Sequence, residues 1–187
     1  LEEAMKNPNY GLVNTTADAF NVKNKFNKEI IFALYYNKAN DTGHGYWYST
    51  TKPEEAQLTQ PAPVFRALYD ARDNRLPLIS EYTEDKKGTY LLNKWFDNRN
   101  DALKGNVVEN DFPHLRYADV VLMYAEALAE SGSSLGDALV WLNKTRTRAG
   151  LDALKAEDIP SKGAFIEALA DERGREFALE GHRWFDL

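Results

Sequence analysis

The chain has 187 residues, 43% hydrophobic and 28% charged, a globular make-up that excludes disorder, collagen and coiled coil as descriptions of the whole. Twenty-three Lys and Arg against 29 Asp and Glu leave a net charge of −6, which argues against a nucleic-acid partner because phosphate binding needs a concentrated positive face. With no cysteine, disulfides, thiolate metal sites and Cys nucleophiles are excluded, and no run of 18 apolar residues is present to span a bilayer.

In chain order, residues 1–110 are rich in Asn, Asp, Thr, Gly, Pro and Tyr and carry little periodicity, the composition of loops and short elements. Ile30 to Tyr36 is a short β-branched and aromatic run that predicts an extended, buried segment. Asn37 to Thr51 follows with no helical or strand period, and it holds three successive aromatics, Tyr46, Trp47 and Tyr48. A short helix is expected around Val64 to Arg72, with Phe65, Leu68 and Tyr69 on one face. Asp70, Asp73 and Arg75 then form a compact charged group that reads as a structural turn.

From residue 111 the pattern turns helical. Ala118, Val121, Leu122, Ala125, Leu128 and Ala129 make an i, i+3, i+4, i+7 stripe, with Pro113 before it and Gly132 after it. A second helix follows Ser134, with Leu135, Ala138, Leu139 and Leu142 inward and Gly150 at its end. The Gly-Ser turn between the two is short enough to force antiparallel packing, an αα-hairpin like one tetratricopeptide unit. A third helix is expected from Ser161, its N-cap, to Glu180, with Ile166, Leu169, Ala170 and Phe177 inward. The chain begins inside helical sequence and ends without a closing turn, which reads as part of a longer protein.

Three blocks carry a family likeness: Arg116-Tyr-Ala-Asp-Val-Val-Leu-Met-Tyr-Ala-Glu-Ala-Leu128, then Leu142-Asn-Lys-Thr-Arg-Thr-Arg-Ala-Gly-Leu151, then Asp171-Glu-Arg-Gly-Arg-Glu-Phe-Ala-Leu-Glu-Gly-His-Arg-Trp-Phe-Asp-Leu187. In order and spacing they resemble the SusD/RagB family of nutrient-binding lipoproteins. Asn9 to Leu12, Asn27 to Phe32 and Pro63 to Arg75 fit weaker landmarks of it. The resemblance implies a mainly α fold of tetratricopeptide-like hairpins, an α-α superhelix, with long irregular excursions and few short strands. It divides residues 1–187 into a loop-rich, candidate glycan-binding portion, 1–110, and a helical signature portion, 111–187. The family's N-terminal half, with its lipid anchor, and its extreme C-terminus would lie outside this stretch.

The same resemblance implies noncatalytic capture of oligosaccharide or polysaccharide at the bacterial outer-membrane surface. The partners would be a glycan and a TonB-dependent transporter, and the membrane would be met only through the N-terminal anchor. No cofactor or metal is expected; the many Asp and Asn side chains leave calcium open, though no Asp-x-Asp-x-Asp-Gly loop supports it.

The charges inside the helical blocks are a separate matter. Arg116, Glu126, Arg146, Arg148, Glu172, Arg173, Glu176, Glu180 and Arg183 sit in apolar patterns, where buried charges must pair. They read as ion pairs fixing helix packing. Sugar binding asks for rings that stack on the C–H face of a pyranose and for polar groups that bond its hydroxyl rim. The 37–51 segment supplies both. Trp47 is the candidate platform, with Tyr46 and Tyr48 as alternates, while Asn40, Asp41 and His44 could meet hydroxyls. The competing structural reading is that these rings plug the loop onto the helices. Trp95, Trp141 and Trp184 are assigned to packing.

Catalytic signatures are weak. Asp41-Thr42-Gly43 lacks the apolar strand and the second copy of an aspartic-protease dyad. His44, His114 and His182 are too scattered for a zinc motif, and no nucleophile elbow is present. The alternatives to a binder are a glycoside hydrolase using loop carboxylates and a helical protein–protein scaffold.

Overall fold

The computed structural model describes residues 1–37, 62–79, 81–83, 89–95 and 109–186. Helices α1 (Glu2–Lys6) and α2 (Thr16–Ala19) precede strand β1 (Ile30–Leu34). Two four-residue helices follow, α3 (Pro63–Arg66) and α4 (Leu76–Ile79), then strands β2 (Glu81–Thr83) and β3 (Thr89–Leu91). Strand β4 (Phe112–Arg116) leads into α5 (Tyr117–Glu130), α6 (Leu135–Arg148), α7 (Lys162–Glu176) and the short α8 (Arg183–Asp186). The described protein is therefore mainly helical, with two small antiparallel sheets, β1–β4 and β2–β3.

The three long helices form where their local signals are strongest. Ser134 and Ser161 cap α6 and α7, their side chains accepting hydrogen bonds from the amides of Asp137 and Ala164. At the end of α6 the amide of Leu151 reaches back to the carbonyl of Arg146 and that of Gly150 to Thr147, with Gly150 at φ 82°. That is a Schellman closure, which needs a left-handed residue at its corner. Gly132, at φ 83°, turns α5 into α6 in the same way. The hairpin so made closes over α7, and Leu122, Leu142, Phe165, Leu169 and Phe177 form its dry centre. Each such side chain contributes about 1.5–3 kcal/mol by leaving water.

Four expectations need correction. Ile30–Leu34 is a strand, but only half-buried: Phe32 and Leu34 face outward. Its partner is β4, with Ile30 opposite Arg116 and Leu34 opposite Phe112, so Pro113 belongs to a strand. The helix expected over 64–72 stops at Arg66. The third helix ends at Glu176 rather than Glu180, because Leu179 takes a left-handed φ of 66° and two cations claim the carbonyls that would continue the helix. Lys94 Nζ donates to the carbonyls of Glu176 and Ala178 at 3.1 and 2.8 Å, and Arg116 Nη2 to that of Glu176 at 3.2 Å.

Candidate functional site

Asn40, Asp41, His44, Tyr46, Trp47 and Tyr48 lie outside the described residues; Tyr36 ahead of that stretch and α3 beyond it are described. On the N-terminal side Tyr36 is held through its amide, which donates to Asp111 Oδ1 at 2.9 Å, and through its carbonyl, which accepts from Lys25 Nζ. Lys25 also pairs with Asp111 at 3.0 Å and sits 4.7 Å from the Tyr35 ring centre. On the C-terminal side, α3 leads to Tyr69, whose ring is buried beside Ile79 and Ala178 and whose hydroxyl donates to the carbonyl of Arg175 at 2.9 Å. Burial pushes the Tyr69 hydroxyl well above its ordinary range, so it stays a donor. The described residues flanking that stretch thus rest on a fixed base, Tyr36 through Lys25 and Asp111 and Tyr69 through the carbonyl of Arg175 in α7.

That base is organised by buried charge. Glu29, Asp73, Glu172, Glu176 and Glu180 meet Arg75, Lys94, Arg116 and Arg148, whose side chains are at most 5% exposed. Arg116 donates to Glu29, to Glu176 at 3.0 Å, and through two nitrogens to Glu180 at 2.7 and 2.8 Å. Arg75 bridges Asp73 at 2.8 Å, Glu172 at 2.7 Å and Glu176 at 3.1 Å. Arg148 joins Glu29 to Glu176, at 2.6 Å from each. Lys94 closes on Glu180 at 2.6 Å.

Burial alone would raise the Glu176 carboxyl. Arg148, Arg116, Arg75 and Lys94 overcome it and hold that group well below the ordinary carboxylate value. Glu180 is lowered too, with Arg116 and Lys94 prevailing over burial. Burial lowers Lys94, with Glu180 opposing.

The expected structural role of the helical charges is thus seen in Arg116, Arg148, Glu172, Glu176 and Glu180. Arg146 joins at the edge, 3.8 Å from Glu172, and Arg173 bridges Asp119 and Asp186 at 2.7 and 2.9 Å. Glu126 and Arg183 are exposed, so the buried-pair expectation does not hold for them. The sequence reading missed Glu29 and Lys94, which sit in polar stretches with no apolar pattern to betray burial. It also placed Asp73 and Arg75 in a turn without seeing that the turn is buried. Because each of these carboxylates is enclosed and matched to cations, their chemistry is that of a clamp.

Trp95 is buried, with Phe20 packed edge-on at 5.7 Å, and Trp141 packs edge-on against Tyr124 at 4.8 Å, both as expected. Trp184 does not pack: it is 84% exposed beside an equally open Phe185. Among the described residues no group of three or more His, Asp or Glu is placed to hold a metal. Nor is any described helix long and apolar enough to cross a membrane.

Among the described residues, a helical hairpin and a third helix are clamped by buried charge to residues upstream of β4, Glu29, Asp73, Arg75 and Lys94. The SusD family model matches residues 74–187, more than half of the chain, and the chain belongs to that family. It is 32% identical over 88 residues to a SusD-like protein P2 of Formosa agariphila, covering 44% of this chain and 17% of that one. Its fold matches surface glycan-binding protein A from Bacteroides uniformis with a TM-score of 0.77 at 22% identity, over 100% of this chain and 42% of the other. Surface glycan-binding protein A from Bacteroides thetaiotaomicron in complex with laminarihexaose matches at 0.67 and 23%, over 100% and 48%. The chain thus spans less than half the length of these solved relatives.

Proposed function

We propose that the protein captures oligosaccharide at the outer-membrane surface, without covalent chemistry, and passes it to a TonB-dependent transporter. The observation that carries this reading is the fit of the whole chain to surface glycan-binding proteins, one of them solved with laminarihexaose. The residues assigned to the ligand are Trp47, Tyr46 and Tyr48 as stacking platforms and Asn40, Asp41 and His44 as hydroxyl partners. The described residues on either side of that stretch, Tyr36 and Tyr69, are held by hydrogen bonds. A fixed base suits a binding loop, because less order has to be imposed when ligand arrives. Affinity is expected on the order of micromolar or weaker, since a polar ligand exchanges water hydrogen bonds for protein ones at small net gain.

The test is a tryptophan-fluorescence titration with laminarin, xylan, amylopectin and galactomannan, run with Trp47→Ala and with a reducing-sugar assay. Saturable binding lost in the variant, with no sugar released, is the expected result. Binding that survives Trp47→Ala removes the 37–51 segment from the site, and release of reducing sugar overturns the noncatalytic reading.

A further inference from the structure

A second sugar-shaped surface lies outside the 37–51 segment, in the loops around α2. There Asn14, Asp18, Asn21, Asn24, Phe26 and Lys28 line an open hollow of about 630 Å³, within the range of roughly 300–1,000 Å³ usual for small-ligand sites. Phe26 is 82% exposed, and one face of its ring stacks on Tyr35, with centroids 5.6 Å apart and planes 20° from parallel. Tyr35 is itself braced by the Lys25 ammonium. A large apolar ring held on one side and open on the other is a platform already ordered in the free protein.

Two of the polar groups around it, Asp18 and Asn21, are likewise fixed. Asp18 Oδ2 caps α2, accepting from the amide and hydroxyl of Thr15 at 3.0 and 2.9 Å, and among the described residues Oδ1 has no donor. Asn21 Oδ1 accepts from the amide of Lys23 at 2.9 Å, and among the described residues its NH₂ has no acceptor. Asn14 and Asn24 make no side-chain hydrogen bond among the described residues. Asn27 forms the floor, buried and spent on the carbonyls of Ala19 and Asn24 and the amide of Glu29.

We infer that this hollow binds a neutral pyranose unit, its C–H face on Phe26 and its hydroxyls on Asp18, Asn21 and Asn24. The inference rests on the glycan-binding function proposed above and adds a second contact to it. The charge pattern selects the ligand class. One carboxylate and one ammonium among carboxamides favour neither an anion nor a cation. Groups that both donate and accept suit hydroxyls, which do the same. An apolar protein segment would find one ring and a polar wall.

The test is calorimetric titration of the protein with the same four polysaccharides, comparing wild type with Phe26→Ala, Phe26→Trp, Asn24→Ala and Trp47→Ala. Phe26→Ala is expected to weaken binding roughly three- to tenfold, the loss of one stacked ring. Asn24→Ala should weaken it less, and Phe26→Trp should keep it. Both positions are solvent-facing, so melting temperatures should stay at the wild-type value. If Phe26→Ala and Asn24→Ala bind as wild type while Trp47→Ala does not, the hollow is no sugar site and the proposed function stands. If wild type binds none of the four, the proposed function fails and the inference falls with it.

Discussion

Replacing Arg116 by Met tests whether buried charge holds the two halves together. The guanidinium is 1% exposed, touches three carboxylates and lies between the Phe20 and Phe177 rings, 5.3 and 5.0 Å from their centres. Met keeps much of the volume and removes the charge. Glu176 would still face Arg75 and Arg148, and Glu29 would still face Arg148, but Glu180 would be left with Lys94 alone. Breaking a buried pair from one side costs about 3–5 kcal/mol, because the orphaned charge stays dehydrated. Against a total stability of about 5–15 kcal/mol, that is a large fraction. Urea unfolding followed by Trp fluorescence measures it. Adding Glu180→Gln to Arg116→Met should recover at least about 1 kcal/mol, since it removes the buried carboxylate left with the fewest cations. Arg116→Lys should fall between, keeping charge and losing the fork. A loss under about 1 kcal/mol for Arg116→Met, with no coupling to Glu180→Gln, would refute the clamp.

Two further outcomes follow from the same geometry. Glu176 and Glu180 have folded values depressed from the ordinary 4.5, so the unfolded state binds more protons below that pH. Their stabilisation is complete above about pH 4.5 and is lost as pH falls through the depressed folded values; a urea series from pH 6 to 2 should show the decline below 4.5, with a shallower slope in Glu176→Gln. Gly150→Ala should cost more than Gly132→Ala in thermal melts. Both sit at positive φ and carry the roughly 1 kcal/mol penalty of a left-handed residue, but only at Gly150 would the new Cβ meet backbone, the Arg72 carbonyl at 3.3 Å. Equal losses would contradict that.

The helical half was legible because its signals are local. Ser134, Ser161, Gly132 and Gly150 each act within one turn of themselves, so a window of the sequence contains the whole cause. β4 was not legible, since its partner lies far upstream in β1 and its own Pro113 reads as a breaker. The end of α7 depended on Lys94, a residue far away in sequence. Trp184 looked like core by type and stands open instead. Of the candidate sites, the 37–51 segment was visible as aromatics without a period. The hollow at Phe26 was not, because asparagines scattered through residues 14–24 read as turns and only the fold shows which of them share a wall.

A hydrophobic plug of equal volume would join the halves as firmly as the ion clamp does, since dehydrating charges consumes most of what their attraction returns. What charge adds is direction. Greasy side chains slide over one another, whereas a planar guanidinium accepts carboxylates only along its N–H bonds. Arg116 is fixed by Glu29 just ahead of β1 and by Glu176 and Glu180 at the end of α7. Arg75 ties the turn between α3 and α4 to Glu172 and to that same Glu176 of α7. Tyr36 follows β1, and Tyr69 follows α3 and bonds the carbonyl of Arg175 in α7. The clamp therefore holds β1 and the turn between α3 and α4 at a fixed bearing to one common reference, Glu176 at the end of α7.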